Sequence, residues 1–354
     1  MASRTSFHTA RGRLMTVINR FGGWYSPASA PHFDVNAPQH RFVQFLARMY
    51  AKAELPRHVQ ILEVIQVGRE PLWLKEGWRT CRGSWHGYTM RLNIPDFYQR
   101  WAWFLSRYHE VYVQVLMRNA LRKGDIFIDG GANNGLVTMV GAWLVGKTGA
   151  VHAFEPNATV HDQLLWHINT NHLSQVTPHR AGLSDREETL TLRVPGSGNW
   201  GAGTFSSIPD RYGGVVSESC TAPLIPGDTL LPSLPTRPGC EMVIKLDIEG
   251  FELRALLGME KILRERRPMV IMEMNSEMLG MNGVTFDHVF NHMTARGYRC
   301  FGFSDRRKII RRHGVVLTPI PGANSPMPPD VAWIHPYSGI WQRLARWMVE
   351  PAAT

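Results

Sequence analysis

Asp125-Ile-Phe-Ile-Asp129-Gly-Gly-Ala-Asn-Asn-Gly135 runs from a short apolar strand pattern into an acid and a glycine-rich turn. An apolar run of helical length, residues 136–145, follows the turn. This order of residues predicts a buried parallel strand, a tight turn and the N-terminus of a helix. We expect Gly131 and Gly135 to let the backbone approach a ligand that a Cβ would exclude, while the helix N-terminus offers unpaired N–H groups. The stretch therefore predicts a site for a nucleotide-like cofactor.

The turn departs from the common nucleotide-binding motifs, and the differences limit which cofactors it could bind. Asn133 stands where G-x-G-x-x-G has a glycine, and no Gly-Lys-Ser/Thr follows, so neither a dinucleotide site nor a P-loop is indicated. Asp129 at the strand end would lie unfavourably beside a pyrophosphate, but it suits a ligand with an ammonium and a sulfonium group. The pattern favours S-adenosyl-L-methionine and a class I methyltransferase turn. The alternative is an ordinary strand-to-helix turn without a ligand.

Bulk composition limits the class of protein and its compartment. The chain has 354 residues, of which 44% are hydrophobic and 19% charged, so it can bury a sizeable core. The net charge of +10 favours acidic partners such as anionic glycans, phospholipid surfaces or nucleic acid, unless it serves solubility alone. The four cysteines show neither disulfide nor metal spacing, which indicates a reducing, cytoplasmic location. Neither a membrane-spanning run nor a secretory h-region is apparent in the sequence.

The chain divides into four predicted parts. Residues 1–38 are predicted to be a basic, disordered tail, and residues 39–118 a helical extension that covers one edge of the catalytic sheet. Residues 119–335 are predicted to form the cofactor-binding domain. Residues 336–354 are predicted to form an amphipathic helix that docks on the core, with peripheral membrane contact as the alternative.

Strands and helices alternate after position 121, which is the signature of an α/β protein. We predict a class I (Rossmann-like) methyltransferase fold, with a mostly parallel seven-stranded sheet and helices on both faces. Leu190–Val194 is predicted to belong to a hairpin, and residues 195–240 are predicted to be a long loop. The predicted strands of the sheet are 125–129, 150–155, 176–180, 242–247, 269–273, 298–303 and 331–334.

Acidic residues end or closely follow the predicted central strands, and the carboxyl ends of such strands form the ligand-binding rim. Glu155, which lies 26 positions after Asp129 at the end of the second strand, is expected to accept both ribose hydroxyls. Glu110 is expected to face the same pocket from the start of a helix upstream. The predicted cofactor-binding residues are Glu110, Asp129, Gly131, Asn133, Gly135, Glu155, Asn157, Leu183 and Asp185.

The fourth strand is predicted to supply the reacting side of the site. Methyl transfer needs a positioned nucleophile and, for a hydroxyl, a base within reach. Asp247 and Glu249 are the first candidates for that base, and Glu273 is the third. Lys245 in the same strand would need a carboxylate partner. The same acids together with Asn275 could instead hold a divalent cation, which we do not favour because no dedicated ligand spacing is visible.

At these residues the chain resembles the FkbM-type family of S-adenosylmethionine-dependent methyltransferases. The resemblance covers about residues 90–335, and the Lys-x-Asp-x-Glu-Gly element is its most specific part. It implies O-methylation of a hydroxyl on a sugar, polysaccharide or secondary metabolite. Asn134 departs from the family, which usually has an aliphatic residue there. The motifs that carry the resemblance are Asp129–Gly135, Phe154-Glu-Pro156, Gly182-Leu-Ser-Asp185, Asp228-Thr-Leu230, Ile244–Gly250 with Glu252, and Arg267-Pro268. The upstream Gln99-Arg100 and Arg107-Tyr108-His-Glu110 also resemble the family's lead-in.

Three functions remain open from the sequence. The first is an O-methyltransferase with a small-molecule or glycan acceptor. The second is a non-catalytic protein that keeps the cofactor fold. The third is a nucleic-acid methyltransferase, which is disfavoured because no base-methylation motif and no basic stripe with interleaved aromatic residues are visible. The oligomeric state is not predicted.

Overall fold

A computed structural model of the chain describes residues 38–53, 62–63, 67–68, 73–195, 203–207, 216–306, 314–326 and 328–349. The predicted basic tail therefore lies outside the described residues, apart from Pro38. The N-terminal part contains α1 (Pro38–Lys52), β1 (Trp78–Arg82), β2 (Thr89–Asn93), α2 (Phe97–Leu105) and α3 (Val111–Ala120). The first half of the domain contains β3 (Ile126–Gly130), α4 (Leu136–Val145), β4 (Ala150–Phe154), α5 (Ala158–Thr170), β5 (Val176–His179), β6 (Gly182–Leu183), β7 (Glu188–Pro195) and β8 (Val216–Ile225).

The second half starts with a short 3-10 helix, Gly227–Ser233, and a second 3-10 turn, Ala345–Trp347, ends it. Its other elements are β9 (Met242–Leu246), α6 (Glu252–Leu257), α7 (Glu260–Arg266), β10 (Met269–Glu273), α8 (Ser276–Met281), α9 (Phe286–Thr294), β11 (Arg299–Arg306), β12 (Gly314–Ile320), β13 (Asp330–Ile334) and α10 (Gly339–Leu344).

The large sheet has the strand order β12-β11-β13-β10-β9-β3-β4-β5. The strands β10, β9, β3, β4 and β5 are parallel, whereas β13 is antiparallel to both β10 and β11. From β3 the chain proceeds to β4 and β5 on one side and returns to β9 and β10 on the other. The topological switch point, where open α/β sheets bind ligands, therefore lies between β3 and β9. This is the predicted class I (Rossmann-like) methyltransferase fold.

The prediction of seven strands was one strand short. Strand β12 pairs antiparallel with β11 and extends the sheet to eight strands. Its alternating residues Val315 and Leu317 are fully buried, so the strand contributes to the core rather than only lengthening the edge.

Successive residues of the central strands face opposite sides of the sheet, and each side has its own apolar core. Phe127 of β3 belongs to the core covered by α2, α3, α4 and α10. Ile126 and Ile128 belong to the core covered by α6, α7 and α9. Because both faces are covered, the central strands are continuous runs of buried residues, which is typical of parallel sheets.

The region predicted as a long loop, residues 195–240, contains regular structure, so that prediction was wrong for part of it. Strand β8 pairs antiparallel with β7 and parallel with β6, forming a separate three-stranded sheet. The prediction of Leu190–Val194 as part of a hairpin is confirmed by the pairing of β7 with β8.

The N-terminal extension contains a hairpin in addition to the predicted helices. Helix α1 lies on α2, while β1 and β2 form a hairpin that contacts α5 through β2. The backbone N–H of Arg91 donates to His167 Nε2 at 2.9 Å, and that of Thr89 donates to Asn171 Oδ1 at 2.7 Å. The hairpin therefore joins the domain at α5, while helix α3 packs on β11 and on the edge strand β12.

The C-terminal helix α10 docks on the core, as the sequence predicted for its apolar stripe. Ile340 and Leu344 are fully buried, and Trp341, Trp347 and Met348 pack against the same core. Arg343 pairs with Asp125 at the start of β3 and donates to the carbonyl oxygen of Ala120 at 2.7 Å. Among the described helices, none is both long enough and apolar enough to cross a membrane.

Candidate functional site

A cavity of about 450 Å³ lies at the switch point, beyond the carboxyl ends of β3, β4, β9 and β10. Its volume falls in the range that small-molecule sites usually have. Nine of the thirteen predicted site residues line it: Glu110, Gly131, Asn133, Glu155, Leu183, Lys245, Asp247, Glu249 and Glu273. Asn275, named as a possible cation ligand, lines it as well. The predicted residues Asp129, Gly135, Asn157 and Asp185 do not line it.

The glycines of the β3 turn serve contacts within the protein. Gly131 has φ = +75°, and a Cβ there would lie 1.9 Å from the carbonyl oxygen of Asp247. Gly135 has φ = +87°, and a Cβ there would lie 2.6 Å from Leu164 Cδ1. We expected these glycines to make room for a ligand. The structure shows that they permit left-handed backbone and let the turn touch the β9 loop and α5.

Asp129 lies beneath the turn instead of in the cavity. Its Oδ2 accepts a hydrogen bond from Thr138 Oγ1 at 2.6 Å, whereas Oδ1 has no hydrogen-bond partner among the described residues. Burial raises the pKa of this fully buried carboxyl to about 6, although Lys245 and Thr138 oppose the shift. The carboxyl therefore supports the turn from below and adds negative charge under the cavity floor.

Glu155 is held in place by backbone amides of two loops. Its Oε2 accepts from the N–H of Asn133, and its Oε1 accepts from the N–H of Asn157, each at 2.8 Å. Asn157 caps α5, with its side chain accepting from Thr159 N at 3.0 Å. Burial raises the pKa of Glu155 to about 7, while the two amide hydrogen bonds oppose that shift. The carboxyl thus ties β4 to the β3 turn and faces the cavity.

Lys245, Asp247 and Glu273 form a hydrogen-bonded group between β9 and β10. Lys245 Nζ donates to Asp247 Oδ2 at 2.8 Å, with the lysine side chain 6% exposed. Burial alone would raise the pKa of Asp247, but the ammonium of Lys245 outweighs it and the pKa is lowered. Burial, together with the charge of Asp247, raises the pKa of Glu273 to about 10. At neutral pH Glu273 therefore keeps its proton and donates it to ionised Asp247.

The loop after β9 is shaped by a second acid. Glu249 has φ = +52° and Gly250 has φ = +98°, so the chain makes a left-handed turn at the cavity wall. The buried Glu252 Oε1 accepts from Ile248 N at 3.1 Å and from Gly250 N at 3.4 Å. Burial raises the pKa of Glu252 to about 7. Glu252 therefore has a structural role, because its carboxyl fixes the loop that carries Glu249.

Glu110 enters the cavity from the N-terminal end of α3, as predicted. Tyr112 Oη lies 3.2 Å from Glu110 Oε1 and donates to Asp330 Oδ2 at 2.8 Å. Burial, then the charges of Asp330 and Asp247, raise the pKa of Glu110 to about 7. The same burial raises the pKa of Asp330 to about 6. These carboxyls therefore cluster around the single ammonium of Lys245.

Of the predicted residues Asp185 and Leu183, only Asp185 is bonded away from the cavity. Asp185 accepts from Arg254 Nε at 2.7 Å and lies within 3.8 Å of Arg186 Nη1. The two hydrogen bonds from Arg254 and Ser184 lower its pKa against the opposing effect of burial. Leu183, by contrast, is 1% exposed and contributes an apolar wall to the cavity.

Apart from Glu110, sequence reasoning missed one wall of the cavity, which the segments 96–99 and 108–110 supply. His109 packs against Tyr98 with ring centroids 4.9 Å apart, and Tyr108 lies 4.5 Å from the same imidazole. Burial lowers the pKa of His109 to about 4, so its imidazole is neutral at pH 7. The signal in the sequence was the aromatic and histidine content beside Glu110, in a stretch from which only Glu110 was chosen.

No group of three or more His, Cys, Asp or Glu side chains is arranged to hold a metal ion in the part of the chain that the structure describes. Asp247 instead accepts hydrogen bonds from Lys245 and from Glu273.

A switch-point cavity rimmed by strand-end acids, in a sheet with this strand order, is the architecture of class I methyltransferases. Residues 129–300 match the family model described as the methyltransferase FkbM domain. None of the curated protein sequences matches the chain.

Three solved structures are among those that match this chain. Methyltransferase FkbM from Methylobacillus flagellatus KT is 15% identical, with 91% of this chain and 70% of that chain covered and a TM-score of 0.35. M. jannaschii TYW2 in complex with AdoMet is 13% identical, with 74% and 88% covered and a TM-score of 0.36. A SAM-dependent O-methyltransferase from Thermotoga maritima is 11% identical, with 64% and 65% covered and a TM-score of 0.34.

Proposed function

We propose that the protein is an S-adenosyl-L-methionine-dependent O-methyltransferase acting on a hydroxyl of a sugar, polysaccharide or secondary metabolite. The observation that carries the proposal is the charge of the cavity at the switch point. Six carboxyl side chains line it, and Lys245 is the one Lys or Arg side chain among its described lining residues. An excess of carboxylates favours a ligand that brings positive charge.

The lining fits a cofactor with a sulfonium and an ammonium group. The turn residues Gly131 and Asn133 and the carboxyl of Glu155 would hold its nucleoside part, while Leu183 would pack against the base. Glu110 and Asp247 would face its positive charge. When bound, S-adenosyl-L-methionine supplies an electrophilic methyl group. The protein's part is to hold the acceptor oxygen in line with that group and to receive a proton.

Asp247 is the residue that we assign to receive the proton. It is ionised at neutral pH because Lys245 lowers its pKa, so an acceptor hydroxyl can donate to it. A weak base is sufficient, since the oxygen becomes strongly acidic only as it gains the methyl group. Glu273 is protonated at neutral pH and orients Asp247 instead. The role of Glu249 is to form the wall opposite the β3 turn.

The other wall favours a polyhydroxylated acceptor. Asp96, Gln99 and Asn275 offer hydrogen-bonding groups, and the rings of Tyr98 and Tyr108 offer flat apolar surfaces. Sugars combine hydroxyl groups with apolar C–H faces, so they match both kinds of surface. We also propose a cytoplasmic location, which the four unpaired cysteines support.

The first test is calorimetric titration with S-adenosylhomocysteine. We expect micromolar binding by the wild type and loss of that binding in Glu155→Ala, because the variant removes the carboxyl that faces the cavity and orders the turn. An Asp162→Ala variant, altered on the α5 surface, is the control and should bind normally. Absence of binding to the wild type would remove the cofactor from the proposal.

The second test separates binding from turnover. Asp247→Asn should keep cofactor binding within about tenfold but lose at least about a hundredfold in kcat, which is the usual scale for a proton acceptor. Activity is followed by transfer of labelled methyl groups to a panel of mono- and oligosaccharides. Full activity of the variant contradicts the role of Asp247. Saturable binding without transfer to any acceptor favours the non-catalytic alternative.

A further inference from the structure

Helix α1 presents its apolar side chains to solvent, the reverse of an ordinary surface helix. Its stripe of Phe42, Phe45, Leu46 and Met49 follows the spacing of one helix face, and these side chains are 50–63% exposed. The opposite face is the buried one, where Ala51 is fully covered. Surface helices of soluble proteins normally turn the apolar face inward, so this face is built for contact outside the molecule.

The exposed stripe continues into the neighbouring hairpin. Trp78 of β1 is 43% exposed, and Leu74 just before it is 59% exposed. Phe45 and Trp78 form the rim of a second cavity, of about 500 Å³, between α1, β1 and α2. We call the stripe of α1 together with Leu74 and Trp78 the apolar face.

Two arginines line the cavity beneath the apolar face. The guanidinium groups of Arg48 and Arg79 lie 4.6 Å and 4.7 Å from the centroid of the Trp103 ring. Arg48 donates to the carbonyl oxygen of Trp103 at 3.0 Å and to Ser106 Oγ at 3.2 Å, which are both neutral acceptors. No ion pair of Arg48 with an acid occurs among the described residues. Arg79 pairs with Glu76, which lines the same cavity, so the described lining carries one net positive charge, that of Arg48. An apolar rim with a net positive charge suits a phosphate-bearing head group.

The charge of the whole N-terminal part agrees with such an occupant. The first 100 residues contain 14 Lys and Arg against 6 Asp and Glu, a net charge of +8 out of the +10 of the chain. Lys52 and Lys75 beside the apolar face are exposed, and the helix contains no acid. A second copy of the chain would bring the same positive charge against this face, so a negatively charged partner is favoured over self-association.

The geometry points to the apolar face as a docking surface for an anionic phospholipid bilayer, with α1 lying in the plane of the interface. A helix with an apolar face, basic residues and neighbouring Trp side chains binds in this way, by burying apolar surface and by attraction to anionic head groups. For the C-terminal helix the sequence predicted docking on the core, with membrane contact as the alternative, and the stripe of that helix packs on the core. This inference does not depend on the acceptor or the cofactor.

The test is co-sedimentation of the full chain with vesicles. We expect binding to vesicles of phosphatidylcholine mixed with phosphatidylglycerol, little binding to phosphatidylcholine alone, and weaker binding at high salt. The double variant Phe42→Ser, Phe45→Ser should lower the partition coefficient by more than about tenfold, since burial of each phenyl ring would be lost. Both side chains are exposed, so the fold should be kept, as circular dichroism will show.

Matched controls alter the same chemistry elsewhere. Leu257→Ser with Met281→Ser removes two exposed apolar side chains outside the face and should leave binding within about twofold of wild type. Lys52→Glu with Lys75→Glu should weaken binding to anionic vesicles about tenfold or more, because each substitution replaces an attractive charge with a repulsive one. Lys147→Glu with Lys261→Glu carries the same change of net charge on other exposed surfaces and should weaken it less.

Three results would overturn the inference. The first is equal binding to neutral and anionic vesicles or none to either. The second is a dimer of the wild type, seen by light scattering, that Phe42→Ser, Phe45→Ser converts to monomer. The third is vesicle binding that this double variant leaves intact and that removal of residues 1–37 abolishes.

Discussion

Lys245 sets the ionisation of the carboxyls around it. Its ammonium is buried, and its 2.8 Å contact with Asp247 keeps that carboxylate charged in a place where burial alone would neutralise it. Glu273 has no such cation of its own and keeps its proton to a pKa of about 10. One lysine thus divides two adjacent acids into a hydrogen-bond acceptor and a hydrogen-bond donor, which is how buried pairs of acids acquire different roles.

Lys245→Met should destabilise the protein in a pH-dependent way. Without the ammonium, burial raises the folded-state pKa of Asp247 above its unfolded value of about 4, so stability is lost as pH rises above that value. We expect a loss of about 3–5 kcal/mol at pH 8 and a much smaller loss near pH 4.5. Urea denaturation at the two pH values measures it, with the exposed Lys261→Met as control. An equal loss at both pH values contradicts the ion pair.

Glu273→Gln should be almost silent in catalysis. The amide is uncharged, as protonated Glu273 is, and it can still donate a hydrogen bond to Asp247. We expect kcat to fall by less than about tenfold and the pH–rate profile to keep its shape. A loss as large as that of Asp247→Asn would mean that Glu273 ionises during turnover.

At the scale of elements, the C-terminal helix α10 is tied to the start of the central strand β3. Arg343 pairs with Asp125, whose side chain is 3% exposed and also accepts from the N–H groups of Arg122 at 2.7 Å and Glu241 at 3.0 Å. One buried carboxylate therefore connects α10, β3 and the residues before β9. The ion pair fixes the strand that ends at the cavity.

Arg343→Ala should destabilise the whole domain, because it leaves the charge of Asp125 buried without its cation. The expected loss is about 3 kcal/mol or more in the free energy of unfolding at pH 8, read from urea denaturation. Arg346→Ala, which stands one turn later beside Trp347, is the control and should cost less than about 1 kcal/mol. Equal effects of the two variants would show that the ion pair between Arg343 and Asp125 does not stabilise the domain.

The sequence predicted strands well where both of their faces are buried and poorly where they are exposed. Strands β3 and β9 are buried at every position, so the sequence showed them as apolar runs that end at an acid. Strand β8 has its first four residues exposed and contains Pro223, so neither apolar alternation nor strand propensity revealed it. The apolar spacing of residues 42–49 indicates a helix, and α1 is one. The same pattern does not encode whether the apolar face packs inward or faces solvent, and in α1 it faces solvent.

At the scale of the whole molecule, a negatively charged cavity lies inside a positively charged protein. The strand-end acids were predictable because parallel strands deliver their carboxyl ends to one edge. The wall of Tyr98, Tyr108 and His109 was not, since it depends on how the segment before the domain folds back over the cavity. The protonation of Glu273 was also beyond the sequence, because it depends on burial and on its neighbour Asp247 in three dimensions.

The affinity for a cationic ligand should rise with pH. Glu110 and Glu155 both have a pKa of about 7 and lose their protons as pH rises from 6 to 8. Ionisation costs stability in the free protein, because both folded pKa values lie above the unfolded value, but it strengthens attraction to a sulfonium. We expect the ratio of Kd for S-adenosylhomocysteine to Kd for S-adenosylmethionine to rise on the order of tenfold over this range. A ratio independent of pH contradicts the assignment.

Because the pKa values of Glu110 and Glu155 are raised to about 7, both carboxyls are partly protonated in the free protein near neutral pH. A positively charged ligand lowers those pKa values and expels the protons into the surrounding solution. The heat of binding at pH 7 should then change with the ionisation enthalpy of the buffer, and the slope counts the protons set free. The number of protons released would therefore measure binding of a positively charged ligand beside these carboxyls, without a label and without turnover.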